Sequence, residues 1–432
     1  MADQLDQYVL DHWPDTESAM WSQIDIAKSS IDSNNLAEAQ AAIDKLFANH
    51  PGNEHVAKAI HDIAYCCRQS QNYKRADRID RYVLEYWPGT QGAMWAHIDL
   101  SIKPNIDSGN LIEAQAGIAQ LLADYSGQEY ISSAIYTIPP HYRNLGEYDK
   151  ARELYQCIID RWPDSDSAVR AKVDMAVLDI SSLICEGRNS EVLPAIDKLI
   201  ADFNDYPGLP EAIFSVGEEY YSKARSLENE GLDEQAKGYY REALAVWERI
   251  IQELSASAAY TPRAYYCSAV VHSQELNEYN KGIEYYQHIV DNWPDYQYAW
   301  HAQYFVGMYY ERLLKSGGIT ESEANPKIEQ AYKAVIEKYP DSKSAPHAAI
   351  KLARLNFNRA QWADAAMYFE LFLQRLPQKL GSVVLPLGRA YEEMGELDSA
   401  AEVYSEFIKT ADPNEPHIEA VKARLEELGG QN

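Results

Sequence analysis

The sequence is poor in features that would place it in several common functional classes. Its cysteines are odd in number and form no C-x-x-C pair, which argues against a disulfide framework and favours reduced core residues. No apolar run approaches the roughly 20 residues of a membrane span. The polar start of the chain is also unlike a secretory leader. We therefore expect no direct membrane insertion. The five cysteines are Cys66, Cys67, Cys157, Cys185 and Cys267.

Basic residues are scarce. The chain has 39 Lys and Arg against 66 Asp and Glu, a net charge of -27. Nucleic acids and anionic membranes both require a basic face on their partner. We therefore expect neither as a general partner, and we attribute most of the acidic excess to solubility.

Catalytic motifs are absent from the sequence as well. There is no phosphate loop, no dinucleotide glycine pattern, no H-E-x-x-H and no nucleophile elbow. The closest histidine grouping, His50, His55 and His61, crosses a turn and does not gather on one helical face. The sequence therefore predicts a protein that is not an enzyme and has no cofactor or metal.

One short phrase recurs along the chain. Pro14, Pro51 and Pro88 stand 37 residues apart, and so do Pro340 and Pro377. A fixed period of this size indicates a solenoid of stacked two-helix units. The clearest copies of the phrase are Trp13-Pro14-Asp15, Trp87-Pro88-Gly89, Trp162-Pro163-Asp164, Trp293-Pro294-Asp295 and Tyr339-Pro340-Asp341.

Each repeat contains the helix-ending and turn residues that are typical of a helical hairpin. Apolar residues recur at helical spacing. The proline removes a hydrogen-bond donor and restricts the residue before it, so the second helix should end there. A polar turn with Gly or Asn, as at Gly109, Gly146 and Gly395, separates the two helices. The pattern predicts an all-α chain of helix-turn-helix repeats.

Small residues and aromatic rings at fixed positions resemble the tetratricopeptide (TPR) repeat. The resemblance implies a right-handed superhelical solenoid of about ten repeats with a C-terminal capping helix. The phrase from Tyr339 to Ala345 is also similar to bacterial outer-membrane-assembly lipoproteins of the TPR type, which leaves the location open between bacterial cytoplasm and cell envelope. The residues that carry the TPR resemblance are Leu387, Gly388, Tyr391, Gly395, Ala400, Tyr404, Phe407 and Pro413, then Leu352, Ala353, Ala365, Phe369 and Pro377, then Tyr142, Gly146, Tyr148, Ala151, Tyr155 and Pro163.

The repeats divide the chain into five segments. Residues 1–14 resemble an orphan second helix of a truncated or atypical first repeat, and residues 15–163 hold regular repeats one to four. Residues 164–340 hold longer, irregular repeats five to eight, and residues 341–413 hold repeats nine and ten. Residues 414–432 form a capping helix and tail.

Two places depart from the regular pattern. Pro104, Pro139 and Pro140 fall inside predicted first helices, where a proline kinks or ends a helix. We therefore expect a local irregularity around repeats three and four. The segment from Ser316 to Pro326 is predicted to be an exposed loop.

The TPR resemblance implies that the first helices line an inner groove. Ten Lys or Arg fall at the predicted inner positions, against seven acids, Asp32, Asp99, Asp107, Glu275, Glu311, Glu392 and Glu393. Guanidinium groups hold carboxylates in paired hydrogen bonds, and interleaved rings supply apolar area. The predicted groove residues are Trp21, Lys28, Lys58, His61, Tyr65, Arg68, Lys103, Tyr136, Arg143, Arg170, Phe214, Tyr221, Arg225, His301, Tyr304, Arg312, Arg354, Phe357 and Arg389.

These observations favour a non-catalytic scaffold that binds a partner protein or an extended, acidic peptide in the groove. Two alternatives stay open. The chain could assemble into homo-oligomers through its convex face and the N-terminal stripe of Leu5, Tyr8 and Val9. The aromatic groove could also hold a carbohydrate or another small ligand, since rings stack on sugars.

Overall fold

The structure, a computed structural model, consists of helices joined by short turns. It describes all residues except 1, 15, 34, 50–52, 413, 414, 416 and 430–432. The described residues contain no strand, as the all-α prediction requires. None of their helices combines the length and apolar character needed to cross a membrane.

The chain forms two units, Met1–Ser182 and Leu183–Asn432. The first contains α1 (Ala2–His12), α2 (Glu17–Asp32), α3 (Leu36–Asn49), α4 (Glu54–Gln69), α5 (Tyr73–Tyr86), α6 (Gln91–His97), α7 (Lys103–Asp107), α8 (Leu111–Tyr125), α9 (Ile131–Tyr136), α10 (Pro139–Leu145), α11 (Tyr148–Arg161) and most of α12 (Asp166–Cys185). The second contains α13 (Val192–Phe203), α14 (Leu209–Asn229), α15 (Asp233–Glu253), α16 (Tyr260–Val270), α17 (Tyr279–Asn292), α18 (Ala299–Lys315), α19 (Glu321–Lys338), α20 (Ala345–Asn358), α21 (Trp362–Arg375), α22 (Val384–Met394), α23 (Leu397–Thr410) and α24 (Ile418–Gly429).

Consecutive helices pack as hairpins within each unit. The pairs α14 with α15, α20 with α21 and α18 with α19 make the most extensive helix–helix contacts, and α2 with α3 and α4 with α5 pack in the same way. We call the leading member of each hairpin the first helix and the following member the second helix. This packing confirms the predicted all-α fold of helix-turn-helix repeats.

Proline sets the end of the second helices. Trp87, Trp162 and Trp293 each follow a helix and precede a proline, and they share φ between -132° and -135° and ψ between 51° and 62°. Tyr339 and Leu376 adopt nearly the same conformation. Proline excludes the helical region for the residue before it, so the sequence itself ends these helices.

The two helices of a hairpin approach most closely where a glycine faces an aromatic ring. A Cβ added to Gly388 would collide with the ring of Tyr404, which is buried on α23. Gly307 faces Tyr332 in the same way. Glycine is therefore required at these crossings because no side chain fits between the helices.

The predicted irregularity around the internal prolines is confirmed. The first helix of repeat three changes to a π-helix over Ile98–Ile102 before α7 begins beside Pro104. The first helix of repeat four is interrupted, and α10 begins at Pro139. The π-helix also holds an inserted residue: Leu36 follows Ala19 by 17 residues, whereas the equivalent Leu111 follows Ala93 by 18.

The predicted loop from Ser316 to Pro326 is wrong. Helix α19 already begins at Glu321 and contains Pro326. Thr320 caps it through a capping box, in which the Thr320 amide donates to the Glu323 carboxylate at 2.9 Å. The cap stabilises the first turn. Pro326 lies inside the helix, where it removes one internal hydrogen bond without ending the helix.

The two ends of the chain contain the expected terminal helices. Helix α24 packs on α23 and buries Ile418, Val421 and Leu428, as the predicted cap requires. Helix α1 packs on α2. It nevertheless leaves Leu5 63% and Tyr8 51% exposed.

The glycine crossing predicts opposite effects for two alanine substitutions. Gly388→Ala should lower the free energy of unfolding by about 1–3 kcal/mol, because the new methyl group overpacks against buried Tyr404. The matched control is Gly238→Ala in α15, where nothing lies within 4 Å of the added Cβ. That change should stabilise the chain by about 0.5–1 kcal/mol. Urea titration followed by circular dichroism measures both, and equal stability of the two variants would contradict the close crossing.

Candidate functional site

The predicted groove residues lie on the first helices, but their accessibility differs. Trp21, Lys58, Tyr65, Arg170, Arg225, Arg312, Arg354 and Arg389 are exposed. Lys28, Arg68, Lys103, Tyr136, Arg143, Tyr221, His301, Tyr304 and Phe357 are half-buried, and His61 and Phe214 are buried. The buried residues His61 and Phe214 can stabilise the helices that form the surface, but they cannot directly contact a large partner.

An ion network in the first unit takes up several of the predicted cations. Arg68 lies with one guanidinium nitrogen 2.5 Å from a carboxylate oxygen of Asp80 and 3.4 Å from one of Asp99. Lys103 pairs with the other oxygen of Asp99 at 2.9 Å. The Nδ1 atom of His61 lies 3.0 Å from Asp80. Because Asp80 and Asp99 are buried, removal of a cationic partner would leave an uncompensated buried charge.

The same network has the composition of a metal site. Ligand atoms of His61, Asp80 and Asp99 lie within 4.8 Å of one another. However, the Arg68 guanidinium already lies against both carboxylates. The two carboxylates are therefore already paired with the Arg68 and Lys103 side chains, and these ion pairs join α4, α5 and the π-helix. Asp80 is not among the predicted site residues, although an acid among the apolar positions Ala76, Ile79 and Val83 of one helix face is a usable signal in the sequence.

A second polar group of the first unit lies around repeats four and five. The phenol of Tyr136 donates to Asp174 at 2.6 Å. Burial raises the pKa of Tyr155, the Asp174 charge raises it further, and nearby Arg143 lowers it. Arg143 therefore faces a tyrosine instead of solvent alone. Arg170 forms no ion pair with any residue that the structure describes.

The second unit repeats the relation between Arg68 and Asp99. Arg225 of α14 lies 3.8 Å from Glu275 and 2.9 Å from Glu228. Tyr221 donates to Glu275 at 3.1 Å. Burial raises the pKa of Glu275, and burial together with the Glu275 charge raises the pKa of Tyr221 to about 12.

In both units the acid stands on a π-helical segment of a first helix. Asp99 belongs to Ile98–Ile102 and Glu275 to Val271–Glu275. Each acid pairs with an arginine on the first helix of the preceding hairpin, Arg68 or Arg225. These predicted groove cations are consequently compensated within the chain.

Aromatic packing accounts for two other predicted residues. Phe214 stacks on Trp247, and the Arg263 guanidinium lies 4.3 Å from the Phe214 ring centroid. His301 is hydrogen-bonded to the hydroxyl of Tyr266, and burial lowers its pKa. Both residues belong to the ring clusters between neighbouring hairpins.

The first helices α18, α20 and α22 form a different kind of surface. Lys351 of α20 pairs with Glu311 of α18 at 2.5 Å. Phe357 of α20 lies under Arg389 of α22, whose guanidinium is 5.9 Å from the ring centroid. Arg354 stands three residues from both Lys351 and Phe357, so the three side chains share one stripe of α20. We call Lys351, Arg354, Phe357 and Arg389 the arginine face.

Positive charge on the arginine face is only partly compensated. Among the described residues, no carboxylate forms an ion pair with Arg354. The Arg389 side chain is 60% exposed and lies 3.7 Å from Glu393. The other nearby acid, Glu392, is held by Arg424 of the capping helix and by the Tyr404 phenol at 2.9 Å. Arg312, beside this face, lies over the ring of Tyr309 at 5.6 Å.

Sequence comparisons identify one repeat family. The model described as tetratricopeptide repeat matches residues 142–165 and 387–414. These segments begin at Tyr142 and Leu387, which are among the residues that suggested the resemblance. A comparison with curated protein sequences finds no match.

Solved structures with a similar chain path share little sequence with this protein. PilW, a type IV pilus biogenesis factor, is 14% identical, with 58% of this chain and 97% of that chain covered and a TM-score of 0.31. The TPR domain of P58(IPK) is 14% identical, with 96% and 99% covered and a TM-score of 0.26. A monomeric IFIT1 mutant with Gppp-AAAA is 14% identical, with 95% and 85% covered and a TM-score of 0.31.

All three TM-scores are low, so these likenesses carry no information on what the chain binds. The family match and the geometry of the hairpins do not depend on them. Both matched segments consist of a first helix, a turn at a left-handed glycine, Gly146 or Gly395, and a second helix. Residues 142–165 and 387–414 therefore match the tetratricopeptide repeat and have its helix-turn-helix geometry.

Proposed function

We propose that this chain binds an acidic segment of a partner protein on the arginine face of its second unit. Its tetratricopeptide repeats point to a protein–protein interaction scaffold in general. The observation that supports the finer proposal is Arg354, an exposed guanidinium with no ion-pair partner among the described residues. Arg354 also shares one stripe of α20 with Lys351 and half-buried Phe357.

The arginine face offers the two kinds of contact that an acidic segment needs. Arg354 and Arg389 can each hold a carboxylate through two parallel N–H donors. Phe357 lies between them in sequence register and presents half-exposed apolar area. Because these groups stand on preformed helices, the receptor loses little conformational entropy on binding.

The arginine face includes fewer residues than the groove that the sequence predicts. Arg68, Lys103 and Arg225 are engaged by Asp80, Asp99, Glu228 and Glu275, so binding of a partner there would first have to break these pairs. A charge that is already paired adds little affinity for a new carboxylate. The arginine face requires no such exchange at Arg354.

Charge reversal on the arginine face tests the proposal. The purified chain is applied to an array of synthetic peptides graded in net charge, and the wild type should retain the acidic peptides that contain apolar residues. Arg354→Glu with Arg389→Glu should reduce this signal at least about tenfold, because two charge-assisted contacts of about 1.5–3 kcal/mol each are lost.

The matched control carries the same charge change on second helices. Arg161→Glu with Arg241→Glu alters exposed arginines of α11 and α15 that form no ion pair with a described residue. It should bind the acidic peptides almost as the wild type does. An equal loss in both double variants would show that net charge alone decides the binding, and the arginine face would then have no role.

Self-association through α1 is a second candidate function. The observation in its favour is the exposure of Leu5, Tyr8 and Trp13 at the N-terminal end of the first unit. Large apolar side chains exposed together are typical of interaction sites. The large net negative charge opposes association of identical chains.

Light scattering after size-exclusion chromatography tests this second candidate. If α1 mediates association, a concentration-dependent dimer should form and Tyr8→Glu should shift it to the monomer, because a buried carboxylate without a partner is costly. The matched control is Tyr148→Glu, which changes an exposed tyrosine of α11. A monomer at all concentrations would exclude self-association.

A further inference from the structure

The second unit contains a cleft that is unrelated to the arginine face. It has a volume of about 1100 Å³ and lies between α21, the 3-10 helix Pro377–Ser382, α23 and the described residues Ala411, Asp412 and Glu415. Ligand pockets in proteins typically measure roughly 300–1,000 Å³. The cleft is therefore large enough for several side chains of a peptide.

The floor of the cleft is apolar. Leu373 of α21, Leu380 of the 3-10 helix and Val403 of α23 line it, and all three are only half-buried. Phe407 lies beneath them in the core of the last hairpin. An apolar floor of this kind gains free energy when aliphatic side chains cover it.

The rim of the cleft is acidic. Five carboxylates line it, those of Glu370, Glu402, Glu406, Asp412 and Glu415, against a single base, Lys379. In the part of the chain that the structure describes, Glu370, Glu402 and Glu406 form no ion pair with any Lys or Arg. Other acids of the second unit, such as Glu311 and Glu329, are paired.

Two contacts arrange the acidic rim. The phenol of Tyr391 donates to the Glu370 carboxylate and orients it at the edge of the cleft. Glu402 and Glu406 stand four residues apart on α23, where like charges repel each other. A cation placed between them would relieve this repulsion.

From the apolar floor and from Glu370, Glu402 and Glu406, three rim acids that form no ion pair with a described Lys or Arg, we infer that this cleft binds a basic, amphipathic peptide segment of another protein. Lysine or arginine side chains of the segment pair with Glu370, Glu402 and Glu406, and its aliphatic side chains cover Leu373, Leu380 and Val403. A second copy of this chain is a poor occupant because its net charge of -27 has the same sign as the rim. The segment differs in charge from the one proposed for the arginine face.

The test measures fluorescence anisotropy of a labelled peptide in which pairs of lysine and leucine alternate, with the full chain at about 0.15 M salt. The peptide should bind saturably. Glu402→Gln with Glu406→Gln should weaken binding about tenfold, because two carboxylates of the rim are lost. Melting curves by circular dichroism should stay unchanged, since both residues are exposed.

A charge-matched control separates the cleft from the general acidity of the chain. Asp149→Asn with Glu153→Gln removes two exposed acids that also stand four residues apart, on α11. This variant should bind the peptide almost as tightly as the wild type. If it weakens binding as much as the α23 variant does, or if no saturable binding occurs, the inference is wrong.

A second peptide tests the apolar floor. When serine replaces leucine in the peptide, binding should weaken at least about fivefold, because the aliphatic contacts are lost. If the serine peptide bound as tightly as the leucine peptide, charge attraction alone would explain the binding and the inference would be wrong. The acidic peptides of the array report on the arginine face separately, so failure of one proposal is distinguishable from failure of the other.

Discussion

The close crossing of the two helices in a hairpin is the contact on which the rest of the structure depends. At Gly388 and Gly307 the first helix approaches so closely that the ring of Tyr404 or Tyr332 fills the space of a side chain. The buried ring fixes both the distance and the rotation of the two helices. Once this rotation is set, one face of each first helix is directed toward the next hairpin, and the adjacent face is directed toward solvent. The positions of Arg354 and Arg389 follow from that constraint.

Charge compensation then decides which polar residues remain available. The π-helical segments carry Asp99 and Glu275 toward the arginines of the preceding hairpin, and these pairs compensate the charges of Arg68 and Arg225. Internal pairing is expected in a protein with a large excess of acid, because an arginine is the scarcer partner. An arginine that keeps no carboxylate partner is therefore more informative than one that merely lies on a predicted groove position.

The capping helix contributes more than an end to the hydrophobic core. Arg424 of α24 pairs with Glu392, which stands three residues from Arg389, so this carboxylate is already engaged by another arginine. The chain leading to α24 supplies Glu415 to the rim of the acidic cleft. One terminal helix thus helps to make one surface more basic and a neighbouring cleft more acidic. Two surfaces of opposite sign in one unit are consistent with a scaffold that holds two different segments.

The sequence by itself determined the local structure of this protein. Proline after Trp87, Trp162 and Trp293 excludes the helical conformation of the preceding residue, and period, turns and caps define the hairpins, because these effects act within a few residues. It did not reveal the early start of α19, since the Thr320 capping box outweighed the proline signal. Which cations stay uncompensated was decided only by the tertiary structure. Partners such as Arg68 and Asp99, Glu311 and Lys351, or Arg424 and Glu392 stand more than 30 residues apart, and only the packing of hairpins brings them within reach of each other.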